Sequence, residues 1–132
     1  RCPQTMAALA AAPLARIPGR TPSVLFSQLK AGAHIPPHTG LINTRLIVHL
    51  PLLVPGKCRL RVGNEVREWQ TGRAWVFDDS MDHEAWNDSD QARVLLQFDI
   101  ARPELTADEN RWVVTLLEGI DAFPGQKFEW NV

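Results

Sequence analysis

The sequence has few cysteines, no basic excess or acidic tail and no long apolar run, and each absence excludes a class of protein. Cys2 and Cys58 lie far apart without a neighbouring cysteine, which excludes a zinc ribbon and a disulfide framework and fits a reducing compartment. The net charge of −1 arises without a basic excess, so nucleic acid is not an expected partner. The longest apolar stretch, 46–54, is interrupted by His49 and Pro51 and is shorter than the roughly 20 residues of a membrane-spanning helix.

These features predict one soluble domain over residues 1–132, in the cytoplasm of what we expect to be a bacterial cell, and they leave the oligomeric state open. The Ala-rich stretch 6–15 has the apolar character of a signal peptide, but no basic segment precedes it. A short helix over about 3–12 is the interpretation that we favour. Because the chain begins with Arg1 rather than methionine, a fragment or a processed product is a further expectation.

Short strands separated by turn residues dominate the region from about 22 to 102. Seven or eight such strands, at a spacing of roughly 8–12 residues, indicate an all-β sandwich or barrel. Beyond this β-core, Thr106 followed by Glu109 forms a capping-box pattern, which predicts a helix from about 106 to 119 that ends at Gly119. Short helices therefore flank the β-core at both termini.

The strongest strand, 44–54, has two different faces. Arg45, Ile47, His49 and Pro51 share one face and leucines and a valine share the other, so we expect the aliphatic face to pack on a core and the mixed face to line a pocket.

Arginines that face inward are costly unless they are paired, and Arg45 and Arg93 both occupy such positions. A guanidinium binds a carboxylate ligand through two parallel hydrogen bonds, which predicts an anion site. Internal salt bridges to Asp99 or Glu84 are the equally weighted alternative.

Two histidines, His38 and His83, are the candidate metal ligands. His34 and His38 have the spacing of a helical zinc site, but Pro36 and Pro37 exclude a helix, so the segment is expected to be extended. Iron(II) suits imidazole ligands on strands of a small barrel. The alternative is that each histidine is an ordinary core or surface residue.

A carboxylate ligand is missing from the first histidine motif, which reads His38-Thr39-Gly40 where a non-haem iron site commonly has H-x-D. Asp79 or Asp82 could supply a third ligand, and Asp79 could instead accept a hydrogen bond from a metal-bound histidine or water. The simpler interpretation of these aspartates is a turn with side-chain caps.

Five ordered segments of the sequence resemble the aspartyl/asparaginyl β-hydroxylase family, over roughly residues 26 to 105. They are PPHTG at 36–40, RLIVHLPL at 45–52, CRLRV at 58–62, EVREWQTGRAWVFDDSMDHEAWN at 65–87, and RVLLQFD at 93–99 followed by RPELT at 102–106. The resemblance implies a double-stranded β-helix of the jelly-roll, cupin-like kind. It also implies an oxygenase that depends on Fe(II), 2-oxoglutarate and O2, hydroxylates an unactivated C–H bond and releases succinate and CO2.

The same resemblance assigns roles to individual residues. It implies that His38 and His83 hold the metal without a protein carboxylate, and that Ser27, His49 and Arg93 bind 2-oxoglutarate, Arg93 at the distal carboxylate. Ile47 stands where the family has a further arginine, and Arg45, on the same strand face, is its expected replacement. The implied substrate is a small molecule, a peptide or an acyl chain.

Two other functions remain open at this point. A cupin-like protein that binds a small carboxylate without turnover is the main alternative, and Ile47 is the residue that favours it. A halogenase, with chloride at the position left free by Gly40, is the less favoured one.

Overall fold

A computed structural model describes residues 2–123 as eight strands flanked by two helices. The helices are α1 (Pro3–Leu9) and α2 (Ala107–Ala122). The strands are β1 (Val24–Leu29), β2 (His34–His38), β3 (Arg45–Leu53), β4 (Cys58–Val62), β5 (Glu65–Glu68), β6 (Trp75–Phe77), β7 (His83–Asn87) and β8 (Arg93–Ala101).

The strands form two antiparallel four-stranded sheets, in the orders β1-β8-β3-β6 and β2-β7-β4-β5. Successive strands thus alternate between the two sheets, except that β4 and β5 are neighbours in one sheet. The two sheets enclose a shared core of apolar residues from β1, β4, β7 and β8. The predicted all-β jelly roll is confirmed. In the part of the chain that is described, no helix is long and apolar enough to cross a membrane.

The segment 34–38, predicted to be extended, is strand β2 and pairs with β7. The register shifts between Ile35 and His38, because Pro36 and Pro37 between them have no N–H to donate to the ladder. The irregular stretch ends where His38 lies directly opposite His83.

The two faces of β3 divide as predicted. Its aliphatic face, together with that of β8, points away from the other sheet and is covered by the N-terminal segment, in a second cluster that contains Leu9, Val48, Leu96 and Phe98. Its mixed face is turned between the sheets, where Arg45, Ile47 and His49 are buried. The N-terminal segment therefore covers the apolar face of this sheet from outside. The opposite face, inside the jelly roll, can then carry polar residues.

Helix α2 begins as predicted and ends later than predicted. The Thr106–Glu109 capping box is present in full. The prediction that Gly119 ends the helix is wrong, since α2 continues to Ala122. A glycine that keeps helical dihedrals costs only about 1 kcal/mol relative to alanine, which the remaining turns can outweigh. Helix α1 is shorter than predicted and ends at Leu9, ahead of Pro13.

Replacing Gly119 by alanine is expected to raise the free energy of unfolding by about 1 kcal/mol, because a Cβ there meets no atom within 4 Å and alanine loses less backbone entropy in a helix. Urea denaturation measures the change. Gly72→Ala is the matched control: its Cβ also has free space, but its φ of +79° strains an L-residue, so stability should fall. Equal effects at both positions would contradict this account.

Candidate metal and anion site

Strand pairing brings the two candidate metal ligands together. His38 on β2 and His83 on β7 are direct cross-strand partners, and their ring centroids lie 4.1 Å apart with an interplanar angle of 51°. His83 is buried and His38 is exposed, so the pair lies at the rim of the jelly roll, between interior and solvent.

Both imidazole rings have the same kind of partner, a backbone carbonyl two residues earlier in the chain. Nδ1 of His38 lies 2.8 Å from the carbonyl oxygen of Pro36, and Nδ1 of His83 lies 2.9 Å from that of Met81. A carbonyl oxygen only accepts, so each Nδ1 carries a hydrogen and Nε2 is the ring nitrogen left for a metal. Proteins orient a metal-binding histidine through a hydrogen bond of this kind, donated by the ring nitrogen that does not bind the metal.

No group of three His, Cys, Asp or Glu side chains within residues 2–123 could hold a metal ion. The predicted third ligands are engaged elsewhere, since Asp82 pairs with Arg61 at 2.7 Å and Asp79 pairs with Arg45. Gly40 stands at the position where a non-haem iron site commonly has a carboxylate ligand. A larger residue does not fit there, because its Cβ would overlap the Asp79 carboxylate. The residues therefore fit a metal held by two histidines whose other ligands do not come from the protein.

Arg45 forms an internal salt bridge. Its two terminal nitrogens donate to the two carboxylate oxygens of Asp79 at 2.9 and 3.0 Å, and Asp99 lies 3.7 Å from its Nε. Burial raises the pKa of Asp99, an effect that Arg45 partly offsets. Of the predicted alternatives, Asp99 is thus a partner of Arg45, whereas Glu84 binds Arg61 and His34 instead.

Two site predictions change as a result. Asp79 was predicted to accept a hydrogen bond from a metal-bound histidine or water. Its carboxylate binds Arg45 and both histidines use backbone carbonyls instead, so only the contact with a metal-bound water stays a prediction. A cosubstrate contact by Arg45 remains a prediction, and it requires the guanidinium to leave Asp79. Ile47, with 4% of its surface exposed, contributes only apolar surface between Arg45 and His49.

Arg93 is buried, and the described part of the chain supplies no counter-ion for it. Its exposed fraction is 1%, its guanidinium carbon lies 4.5 Å above the ring of Trp69, and no carboxylate in residues 2–123 forms an ion pair with it. Its Nη1 reaches the carbonyl and hydroxyl oxygens of Ser27, each at 3.3 Å, and its Nε has no partner. Burial lowers the pKa of Arg93 to about 10, so the group stays cationic at neutral pH and is poised to bind an anion.

His49 lies beside this guanidinium. Its ring contacts Phe77 at 4.9 Å and Trp69 at 5.8 Å between centroids, and its Nε2 lies 3.2 Å from Oε1 of Gln97. Its Nδ1 is buried and has no hydrogen-bond partner. Burial, and after it the positive charge of Arg93, lowers the pKa of His49 to about 3, so the ring is neutral.

Aromatic contacts join the anion site to the histidine pair. Trp69 contacts both Arg93 and His49, and Phe77 contacts both His49 and His83, the latter at 5.6 Å. The indole N–H of Trp69 is a further buried donor without a partner. The site therefore presents unsatisfied donors on one side and two free imidazole nitrogens on the other.

Sequence reasoning missed Trp69, Phe77 and Gln97 as parts of the site. The alternation of β8 carries a signal for Gln97, which shares the inward face with Arg93. No comparable signal marks Trp69, which follows the last residue of β5. His34 stacks on Trp86 at 5.2 Å and takes no part in the site.

Acid should destabilise the metal-free protein through His49. The unfolded chain binds a proton at this residue near pH 6.5 and the folded chain only near pH 3, so the free energy of unfolding falls as the pH drops through that window. Between pH 7 and pH 5 the loss should be about 2 kcal/mol. Denaturant unfolding with a chelator present, compared between wild type and His49→Phe, measures it. Equal pH slopes in the two proteins would refute the assignment.

Comparison with known proteins gives one family and one fold. The family model described as Aspartyl/Asparaginyl beta-hydroxylase matches residues 1–103. An ornithine lipid ester-linked acyl 2-hydroxylase from Rhizobium tropici is 44% identical over 105 residues, which are 77% of this chain and 35% of that protein. The mouse aspartyl/asparaginyl beta-hydroxylase is 40% identical over 93 residues, 70% of this chain and 13% of that protein. The chain thus spans about a third or less of these relatives' length.

Solved structures with a similar backbone include two that are described as cupins. The Cnp3 cupin domain of Schizosaccharomyces pombe has a TM-score of 0.54 and 14% identity, covering 76% of this chain and 64% of that one. A cupin protein of Bacteroides fragilis has a TM-score of 0.51 and 20% identity, covering 64% and 69%. At such identities the likeness concerns the fold alone.

Proposed function

The chain belongs to the aspartyl/asparaginyl beta-hydroxylase family, and on that premise we propose that it is an Fe(II)- and 2-oxoglutarate-dependent oxygenase that hydroxylates an unactivated C–H bond. The names of the family and of the two relatives describe hydroxylases. The dependence on iron and on 2-oxoglutarate, and the release of succinate and CO2, are the parts that the proposal adds.

The observation that carries the proposal is the buried charge of Arg93, which has no counter-ion within residues 2–123. Aromatic contacts through Trp69, His49 and Phe77 connect it to the pair of metal-competent histidines. A protein gains nothing in stability from such a charge, so a bound anion is the simplest explanation for it. An anion that also reaches His38 and His83 needs a metal-chelating group at its other end. A 2-oxo acid with a distal carboxylate, such as 2-oxoglutarate, has both groups.

His38 and His83 would hold Fe(II) through Nε2, with the carbonyls of Pro36 and Met81 keeping each Nδ1 protonated. When bound, the metal supplies the reaction of O2 with 2-oxoglutarate that yields succinate and CO2 and delivers one oxygen atom to a substrate carbon.

The protein's own residues bind and orient the cosubstrate. Arg93 and the Ser27 hydroxyl would bind the distal carboxylate, and Trp69 holds the guanidinium in place from one face. Phe77, in contact with both His49 and His83, excludes water between the anion site and the metal site.

The substrate class follows from the relatives' names only as a proposal. One relative is named for an ester-linked acyl chain of a lipid and others for aspartyl and asparaginyl residues. We therefore propose an acyl chain, a peptide or a related small molecule as the acceptor of the hydroxyl group.

Succinate formation tests the proposal. The protein with Fe(II), ascorbate and 2-oxoglutarate in air should release succinate even without the substrate, at a low rate, and a metal chelator should abolish it. Ile47, whose apolar side chain replaces an expected anion contact, favours the alternative of a carboxylate-binding cupin without turnover. Tight binding of 2-oxoglutarate without succinate, with acyl and peptide candidates present, would support that alternative and refute the proposal.

A further inference from the structure

His49 has one hydrogen-bonded ring nitrogen and one that is not. Gln97 is its direct partner across β3 and β8, and the Gln97 Oε1 lies 3.2 Å from Nε2. Because this oxygen only accepts, Nε2 carries the ring hydrogen. Nδ1 is then a bare lone pair, buried and without a partner. In this arrangement His49 has no N–H left to donate to an anion.

Protonation of the His49 ring does not supply the missing N–H donor at neutral pH. An imidazolium donates from both nitrogens, but burial and the charge of Arg93 lower the pKa of His49 to about 3 and keep the ring neutral at pH 7. A neutral imidazole has a single N–H. His49 can therefore donate from Nδ1 only if the hydrogen leaves Nε2, and Nε2 then becomes an acceptor that needs a donor of its own.

The side chain that meets Nε2 can serve either tautomer. A glutamine amide has an acceptor and two donors on opposite branches of nearly the same shape, so half a rotation about its terminal bond exchanges them without repacking. Glutamate in this place would offer acceptors only, and methionine or leucine would offer no strong partner. The amide is thus the one group of this size that matches both states of a neutral imidazole.

We propose that Gln97 is a positioning residue that selects the tautomer of His49 for anion binding. When 2-oxoglutarate is bound, the Gln97 amide N–H donates to Nε2, and Nδ1–H of His49 donates to a carboxylate oxygen of the cosubstrate. The ring stays neutral, because one proton leaves Nε2 for solvent and another arrives at Nδ1. The inference rests on the proposed function, since it requires a carboxylate bound to Arg93.

Nitrogen NMR of the zinc-loaded protein, labelled with ¹⁵N-histidine, tests the inference directly. The nitrogen shifts distinguish protonated from unprotonated ring positions, and His49→Phe identifies the signals. Without 2-oxoglutarate the His49 signals should show Nε2–H, and saturation with 2-oxoglutarate should convert them to Nδ1–H. Calorimetry on the same samples gives the dissociation constant.

Gln97→Met should weaken 2-oxoglutarate binding about 10-fold, the effect of one lost buried hydrogen-bond partner, and should leave no single preferred tautomer. Gln28→Met, the same substitution on the exposed side of neighbouring β1, should change neither quantity. This contrast separates positioning from a general effect on folding.

The outcomes distinguish the two proposals. Binding of 2-oxoglutarate with His49 still protonated at Nε2 overturns the role of Gln97 and leaves the proposed function intact. Unchanged affinity and tautomer in Gln97→Met also overturn it, whatever the loss of stability. No binding to the wild-type protein overturns both.

Discussion

Replacing either His38 or His83 by alanine should lower the affinity for Fe(II) by more than about 100-fold, because loss of a group that only orients a ligand already costs roughly 10- to 100-fold. The structure offers two protein ligands, and within residues 2–123 no third side chain is placed to compensate. Anaerobic competition against a coloured chelator measures the change, and succinate formation should be lost with it.

His34→Ala is the matched control for this experiment. His34 lies on the same strand as His38 but contacts Glu84 and Trp86 on the outer side of the sheet. Its removal should leave metal affinity unchanged. A similar loss in His34→Ala and His38→Ala, or no loss in His38→Ala, would contradict the assignment of the metal site.

Replacing Arg93 by methionine should separate binding from stability. The variant should bind 2-oxoglutarate at least about 100-fold more weakly, because two charge-assisted hydrogen bonds and their desolvated charge are lost. Its free energy of unfolding should not fall, and should rise if the methionine packs well, since the guanidinium is buried without a carboxylate partner. Calorimetry and urea denaturation provide the two measurements.

Arg45→Met is the control for Arg93→Met, and the opposite result is expected. This guanidinium is also buried, but it binds Asp79 with two hydrogen bonds and lies near Asp99. Removing it leaves two buried carboxylates unpaired, which should cost about 3–5 kcal/mol of stability. If Arg93→Met were the more destabilising variant, Arg93 would be a structural residue and the anion site would be misassigned.

The position of each β-strand could be predicted from the sequence because alternation and turn residues are local signals. The same signals place His38 and His83 on strands, and the family resemblance joins them. The two histidines lie directly opposite each other because of the register between β2 and β7. The inward face of β8, with Arg93 and Gln97, was likewise visible in the alternation of the sequence.

The salt bridge between Arg45 and Asp79 could not be predicted, because ion pairing among neighbouring aspartates depends on the loop conformation. Asp78, Asp79 and Asp82 pair with three different arginines from separate parts of the chain. Nothing in their spacing states which aspartate takes which arginine. The contacts of Trp69 with Arg93 and His49 could not be predicted either, since they depend on the backbone beyond β5 and not on a periodic pattern.

The visible spectrum of the anaerobic complex tests the central claim most directly. Fe(II) and 2-oxoglutarate added together to the wild-type protein should produce a weak charge-transfer band that neither produces alone. His38→Ala should show no band, and Arg93→Met should show it only at much higher 2-oxoglutarate concentration. Absence of the band in the wild-type protein, or an unchanged band in His38→Ala, would contradict a metal and a 2-oxo acid bound together at this site.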